Sequence, residues 1–276
     1  MNFAFLDSGI GGIPYLLHLK KIVPNATCAY LADTRNFPYG EKSDASINEC
    51  AFSAVSLIVQ AWHPETIVVA CNTISVHALE MLRTQFQGIP IVGTVPAIKR
   101  AAEVTKNKRI GLLATNATIH DTYIKQLERD FASDCTIFAR GDAPLVSFIE
   151  GQMTSATDVQ KLAAVMPAVT YFKKNDCDAI VLGCTHFTHM AHVVSAAVGA
   201  GVSVVDSRDG VARQAIKVHE ERAKKAPAIF DAAADFLDDA RDSMFFSTGF
   251  ASESEAEKYS AFCASVGMRW GGVLLQ

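Results

Sequence analysis

At 276 residues the chain suits one large domain or two smaller ones around a sizeable core. Hydrophobic residues make up 50%, charged residues 20%, and the formal net charge is -4, an ordinary globular balance. There is no basic excess to track a phosphate backbone, which argues against nucleic acid as a primary partner. No apolar run approaches the roughly 18 residues of a membrane span, and MNFAFLDSG at the start lacks the features of a secretory signal, so a cytoplasmic location is expected.

In chain order, short Val/Ile/Leu-rich runs predict strands over 2–6, 28–31, 66–70, 89–93, 109–114, 135–139, 179–182 and 202–205. They lack a clean alternation of apolar and polar residues, as parallel strands covered on both faces do. Amphipathic stretches at 47–61, 76–86, 120–131 and 158–173 predict helices between them. Strands alternating with helices give an α/β class with parallel sheets. From Asp231 the chain turns acidic, with Asp235, Asp238, Asp239 and Asp242. SMFFSTG at 243–249 then predicts a strand, and Ser252 with Glu255 a capping box. Ala256, Tyr259, Phe262, Cys263 and Val266 follow helical spacing, so this region is expected to be an ordered appendage without chemistry of its own.

An internal repeat runs through this plan. IVVACNTISVHAL (67–79) lies over IVLGCTHFTHMAH (180–192), and a further strand region begins twenty residues after each cysteine, at Ile91 and Val204. Two halves of like plan imply duplication. The expected lobes are 1–97 with 207–276, and 98–206, with the ligand site in the cleft between them at the strand C-terminal ends.

Seven cysteines (28, 50, 71, 135, 177, 184 and 263) are an odd number and include no C-x-x-C pair. They read as thiols rather than a disulfide framework, most of them small buried hydrophobes. Cys71 and Cys184 differ, because two hydrogen-bonding residues follow each: Asn72 and Thr73, then Thr185 and His186. Such groups at strand ends suit recognition of a carboxylate, which needs several donors at once.

DSGIGG (7–12) turns a strand into a helix, with Pro14 at an allowed first-turn position. Its Asp7 and Ser8 either cap that turn or serve a substrate ammonium or a neighbouring acid or base. FPYGEKS (37–43) is a turn in which Tyr39 can line a pocket and the Gly40 amide can approach a ligand. Three readings of the cysteines compete. Cys184, His186, His189 and His192 are soft and borderline metal ligands, but their spacing is no established zinc pattern, and the first half has no matching histidines. A Cys–His nucleophile accounts for His186 and leaves Cys71 without a role. Two thiols on opposite faces of a carbon fit the inversion of a stereocentre, one removing a proton and the other delivering one, with no cofactor.

The motifs FLDSGIGG, LADTRNFPYGEKS, VACNTIS, IVGTVPAI, LLATNATI, PLVSFIEGQ, IVLGCTHF and VVDSRDG, in this order over residues 3–210, resemble the cofactor-independent glutamate racemases of the aspartate/glutamate racemase superfamily. The resemblance implies two flavodoxin-like lobes with the active site between them, Cys71 and Cys184 as the two acid/bases, and assistance from Asp7, Glu150 and His186. It implies substrate contacts at Asp7, Ser8, Tyr39, Gly40, Asn72, Thr73, Thr115, Thr118, Thr185 and His186. It further implies glutamate as substrate, no cofactor or metal, a homodimer, and a supply of D-glutamate for peptidoglycan. Aspartate or another small acidic amino acid is the alternative substrate, and an amino-acid-binding regulator on the same scaffold the alternative class. Two departures are visible. Family members usually continue the second motif with Tyr-Pro-Leu, where this chain has Phe187, Thr188 and His189, and Ile74 replaces a commoner small residue.

Overall fold

The computed structural model describes residues 1–225, 243–250 and 252–275, and it divides into two units: Met1–Thr94 with Arg208–Gln276, and Val95–Ser207. The acidic stretch from Asp231 to Asp242 lies outside the described residues.

The first unit begins β1 (Phe3–Asp7), α1 (Ile13–Ile22), β2 (Cys28–Ala32), α2 (Asp44–Trp62), β3 (Thr66–Val69), α3 (Asn72–Gln85), β4 (Ile91–Gly93). Every residue of β1, β2 and β3 is buried, which is why their sequences are apolar runs without alternation. Ser43 caps α2 by accepting from the Ser46 amide, and the helix stops at His63, whose φ of 43° is left-handed.

The second unit runs α4 (Ile98–Val104), β5 (Arg109–Ala114), α5 (Asn116–His120), α6 (Thr122–Phe131), β6 (Thr136–Gly141), α7 (Ala143–Gly151). It continues through α8 (Asp158–Lys174), β7 (Ala179–Leu182), a 3-10 helix at Thr185–Met190, α9 (Ala191–Val198) and β8 (Ser203–Val205). Thr157 and Gln160 form a complete capping box on α8.

The chain then returns to the first unit through α10 (Arg208–Lys225), β9 (Ser243–Ser247), α11 (Glu253–Ser265) and β10 (Arg269–Val273). The strand expected at 243–249 and the helix after it are both present. The expected capping box is not: Ser252 is the N-cap, but its hydroxyl meets Ser254 Oγ at 3.0 Å instead of the helix amides. β10 was not visible in the sequence.

Both sheets are wholly parallel, in the orders β10-β9-β2-β1-β3-β4 and β6-β5-β7-β8. β2-β1-β3-β4 and β6-β5-β7-β8 are one order drawn twice, the flavodoxin-like one. This is the α/β plan of two similar units expected from the sequence. Among the described residues, no helix is long and apolar enough to cross a membrane.

Candidate active site

In this strand order the chain leaves the central pair in opposite directions, and a crevice opens beyond the carboxyl ends of that pair. The pair is β1 and β3 in one unit, β5 and β7 in the other. Cys71 stands two residues past β3, and Cys184 two residues past β7. Each is an N-cap in extended backbone, with φ −137° and ψ 119° at Cys71 and φ −129° and ψ 136° at Cys184. The two thiols thus occupy the same place in the repeated plan.

In the first unit the chain turns tightly around Cys71. A Cβ on Gly12 would stand 2.6 Å from Ala70 Cβ and 2.9 Å from both Ala70 O and Tyr30 Oη, so only glycine lets the loop after β1 lie against the end of β3. The Tyr30 hydroxyl fastens the loop, accepting from the Gly12 amide at 3.0 Å and donating to Gly9 O at 2.7 Å. Asp7 is fully buried and its Oδ1 accepts from the Ser8 amide at 2.5 Å and the Ser8 hydroxyl at 3.1 Å. It caps its own turn rather than helix α1, whose N-cap is Gly12.

Asn72 opens α3 beside Cys71. It is 2% exposed, yet among the described residues neither its Nδ2 nor its Oδ1 has a hydrogen-bond partner. A buried amide without partners costs about 1–3 kcal/mol, so one in a native fold calls for an explanation. Thr73 is buried alongside it, and the N-terminus of the helix adds the positive end of its dipole.

Tyr39 begins a 3-10 turn, Tyr39–Glu41, that also holds Gly40, and packs in one buried cluster with Cys71 and Ile74. Its hydroxyl donates to Oδ2 of buried Asp33 at 2.5 Å. Burial first, and then the Asp33 charge, push the phenol far above its ordinary pKa and keep it protonated.

In the second unit a chain of three groups begins at Cys184. Its sulfur lies 3.9 Å from Nδ1 of His186, whose Nε2 is 2.7 Å from Oε2 of Glu150 near the end of α7. Burial alone would lower the pKa of His186; the bonds to Cys184 and Glu150 outweigh it and raise the pKa well above 6.5. Both contacts thus favour the charged form of the imidazole, which lies between a sulfur and a carboxylate. Thr185 is buried next to Cys184, and its carbonyl accepts from the Thr188 hydroxyl at 2.7 Å. Thr115 follows β5, caps α5 through the Thr118 amide and donates to the Thr118 hydroxyl at 2.9 Å. Gly183 repeats the close approach seen at Gly12, since a Cβ there would stand 2.7 Å from Leu112 Cδ1.

The site residues anticipated from sequence thus fall into two groups. Asp7, Ser8, Tyr39, Gly40, Cys71, Asn72 and Thr73 lie in the first unit, and Thr115, Thr118, Glu150, Cys184, Thr185 and His186 in the second. Other cysteines are different in kind. Burial pushes Cys28 and Cys263 up to about 12 and Cys177 up to about 11, which leaves them as packing residues. His189 belongs to the 3-10 helix and His192 to α9, and among the described residues no three His, Cys, Asp or Glu side chains converge as a metal set would. Sequence reading overlooked Asp33 and Thr248, which meet across 215 residues of chain; their one local signal was the place of Asp33 inside the LADTRNFPYG motif.

The chain and its fold have counterparts among known proteins. The family model described as Asp/Glu/Hydantoin racemase covers residues 18–215. A glutamate racemase of Treponema pallidum (strain Nichols) is 38% identical over 274 residues, 99% of this chain and 96% of that one. One from Shewanella piezotolerans is 38% identical over 216 residues, 77% of this chain and 78% of its own. Among solved structures, Escherichia coli glutamate racemase, in complex with L-glutamate and the activator UDP-MurNAc-Ala, has a TM-score of 0.84 at 29% identity, covering 99% of this chain and 98% of that one. Fold and relatives together define the class as an isomerase, a racemase that inverts a stereocentre. The chain belongs to the Asp/Glu/Hydantoin racemase family.

Proposed function

We propose that the chain interconverts L- and D-glutamate by two-base proton transfer, with Cys71 and Cys184 acting on opposite faces of the α-carbon. In the L-to-D direction the Cys184 thiolate takes the α-proton and becomes a thiol, while the Cys71 thiol donates its proton and becomes a thiolate. No electrons are gained or lost, so the reaction calls for no redox cofactor, and the two thiols account for both proton transfers. Asp7 assists proton exchange at Cys71, and His186 with Glu150 does so at Cys184. Ser8, Tyr39, Gly40, Asn72, Thr73, Thr115, Thr118 and Thr185 bind the substrate, and donors on its carboxylate stabilise the charge that develops as the α-proton leaves.

One observation carries this reading: the amide of Asn72, buried beside Cys71 with both polar atoms unpartnered among the described residues, is a hydrogen-bonding group open to a ligand. In the same proposal the chain works as a cytoplasmic homodimer whose D-glutamate goes to peptidoglycan.

The test is incubation with L-glutamate in D2O, with circular dichroism following inversion and proton NMR following the α-hydrogen. Loss of the α-proton together with decay of the optical signal is expected. Inversion of L-aspartate but not L-glutamate would move the substrate assignment. Saturable glutamate binding without exchange at the α-carbon would make the chain a binding protein.

A further inference from the structure

The C-terminal strand β9 reaches the turn that holds Tyr39. β9 pairs in parallel with β2, Ser247 lying opposite Ala32, and the next amide, that of Thr248, donates to Ala32 O at 3.0 Å. This registers Thr248 against the loop leaving β2. Its hydroxyl accepts from the Arg35 amide at 3.1 Å and donates to Asp33 Oδ1 at 2.7 Å, so both of its roles are fixed. The Thr34 hydroxyl adds a bond to Gly249 O.

Asp33 is 1% exposed, and no cation pairs with it among the described residues. A buried carboxylate is tolerable only when its lone pairs are filled. Here Oδ1 accepts from Thr248 and Asn36, and Oδ2 from Asn36 at 3.0 Å and Tyr39 at 2.5 Å. The Tyr39 proton is therefore spent inside the protein. Its hydroxyl cannot also donate to a substrate.

We propose that Asp33 and Thr248 are positioning residues for the racemisation, Thr248 orienting the Asp33 carboxylate and Asp33 holding the Tyr39–Gly40 turn by the phenol in its substrate-binding place. This rests on the racemase reading, which assigns that turn to the substrate. It gives the C-terminal segment a function: β9 extends the sheet and also sets the geometry of a binding loop distant in sequence.

The experiment compares Thr248→Val, which keeps the shape and removes the hydroxyl, with Thr248→Ser, which keeps the hydroxyl. Thr248→Val is expected to raise KM for glutamate about tenfold with kcat within about twofold, the scale of a lost hydrogen bond to a charged group. Thr248→Ser should return both constants to within about twofold of wild type. Adding Thr248→Val to Tyr39→Phe should change KM by less than about twofold, because both act through one connection. An unchanged KM in Thr248→Val, or equal impairment in Thr248→Ser, overturns the positioning role. Tyr39→Phe covers the case in which Thr248→Val does not fold. A raised KM with kcat kept within about threefold supports the proposal, and a kcat loss beyond tenfold at constant KM overturns it. Wild-type enzyme runs in the same assay: no turnover there overturns the racemase reading itself, whereas normal turnover with an unmoved KM in the variant overturns only this inference.

Discussion

Glu150 Oε2 lies 2.7 Å from Nε2 of His186, both side chains buried, while the other nitrogen of that ring faces the Cys184 sulfur. The carboxylate fixes which way the imidazole points and favours its charged form. Cys184 thereby gains a neighbour able to pass protons to and from its sulfur.

Glu150→Gln removes the charge and keeps the shape. Racemisation should fall about 10²-fold, the scale of a lost acid–base partner. Stability should change as well. The pKa of His186 is raised above 6.5, so the stabilisation from its charged form is complete below 6.5 and is lost as pH rises through the elevated value. Wild-type melting temperature should therefore decline above pH 6.5 more steeply than that of Glu150→Gln. Parallel curves would exclude the ion pair as the cause.

The two thiols should fail in opposite directions. Cys184→Ser is expected to cut α-hydrogen exchange from L-glutamate by about 10³-fold or more, and Cys71→Ser to do the same to exchange from D-glutamate. Each variant should keep more exchange on the enantiomer whose proton its remaining thiol removes. NMR in D2O reads both, and equal losses on both enantiomers would contradict a division of labour.

Asn72→Ala should separate binding from stability. Removing a buried amide that has no partner relieves a penalty of about 1–3 kcal/mol, so the variant should be no less stable than wild type in urea. Its KM for glutamate should nevertheless rise about tenfold. A clear loss of stability would mean the amide serves the fold.

Gly12→Ala inserts a methyl group 2.6 Å from Ala70 Cβ, next to Cys71. Overpacking of this kind costs about 1–3 kcal/mol, and a displaced Cys71 should lower kcat as well. Gly201→Ala, where a Cβ meets nothing within 4 Å, is the control and should match wild type by calorimetry and turnover.

The sequence made some of this legible for physical reasons. Strands such as 109–114 and 179–182 were recovered with their observed limits, because a strand buried on both faces must be apolar throughout. β10 stayed hidden because Arg-Trp-Gly-Gly-Val is an edge strand, partly exposed, whose register shifts between Trp270 and Gly272. Capping depends on rotamers as well as spacing, so Thr157 with Gln160 closes a box and Ser252 with Glu255 does not. The neighbours Cys184 and His186 could be read together from two residues of spacing. The contact of His186 with Glu150 spans 36 residues and that of Thr248 with Asp33 spans 215, and no local pattern encodes either.

The two cysteines share a place in a repeated plan but keep different company: an orphan amide and a turn-capping carboxylate near one, an imidazole paired with a carboxylate beside the other. Enantiomers have equal free energy in water, so detailed balance obliges both directions of a racemisation to share a single specificity constant, kcat/KM. Chemical inequality between the two halves therefore cannot favour one hand of the substrate at equilibrium. It can surface only in how each direction divides the common value between turnover and saturation, so that L- and D-glutamate differ in kcat and KM by the same factor.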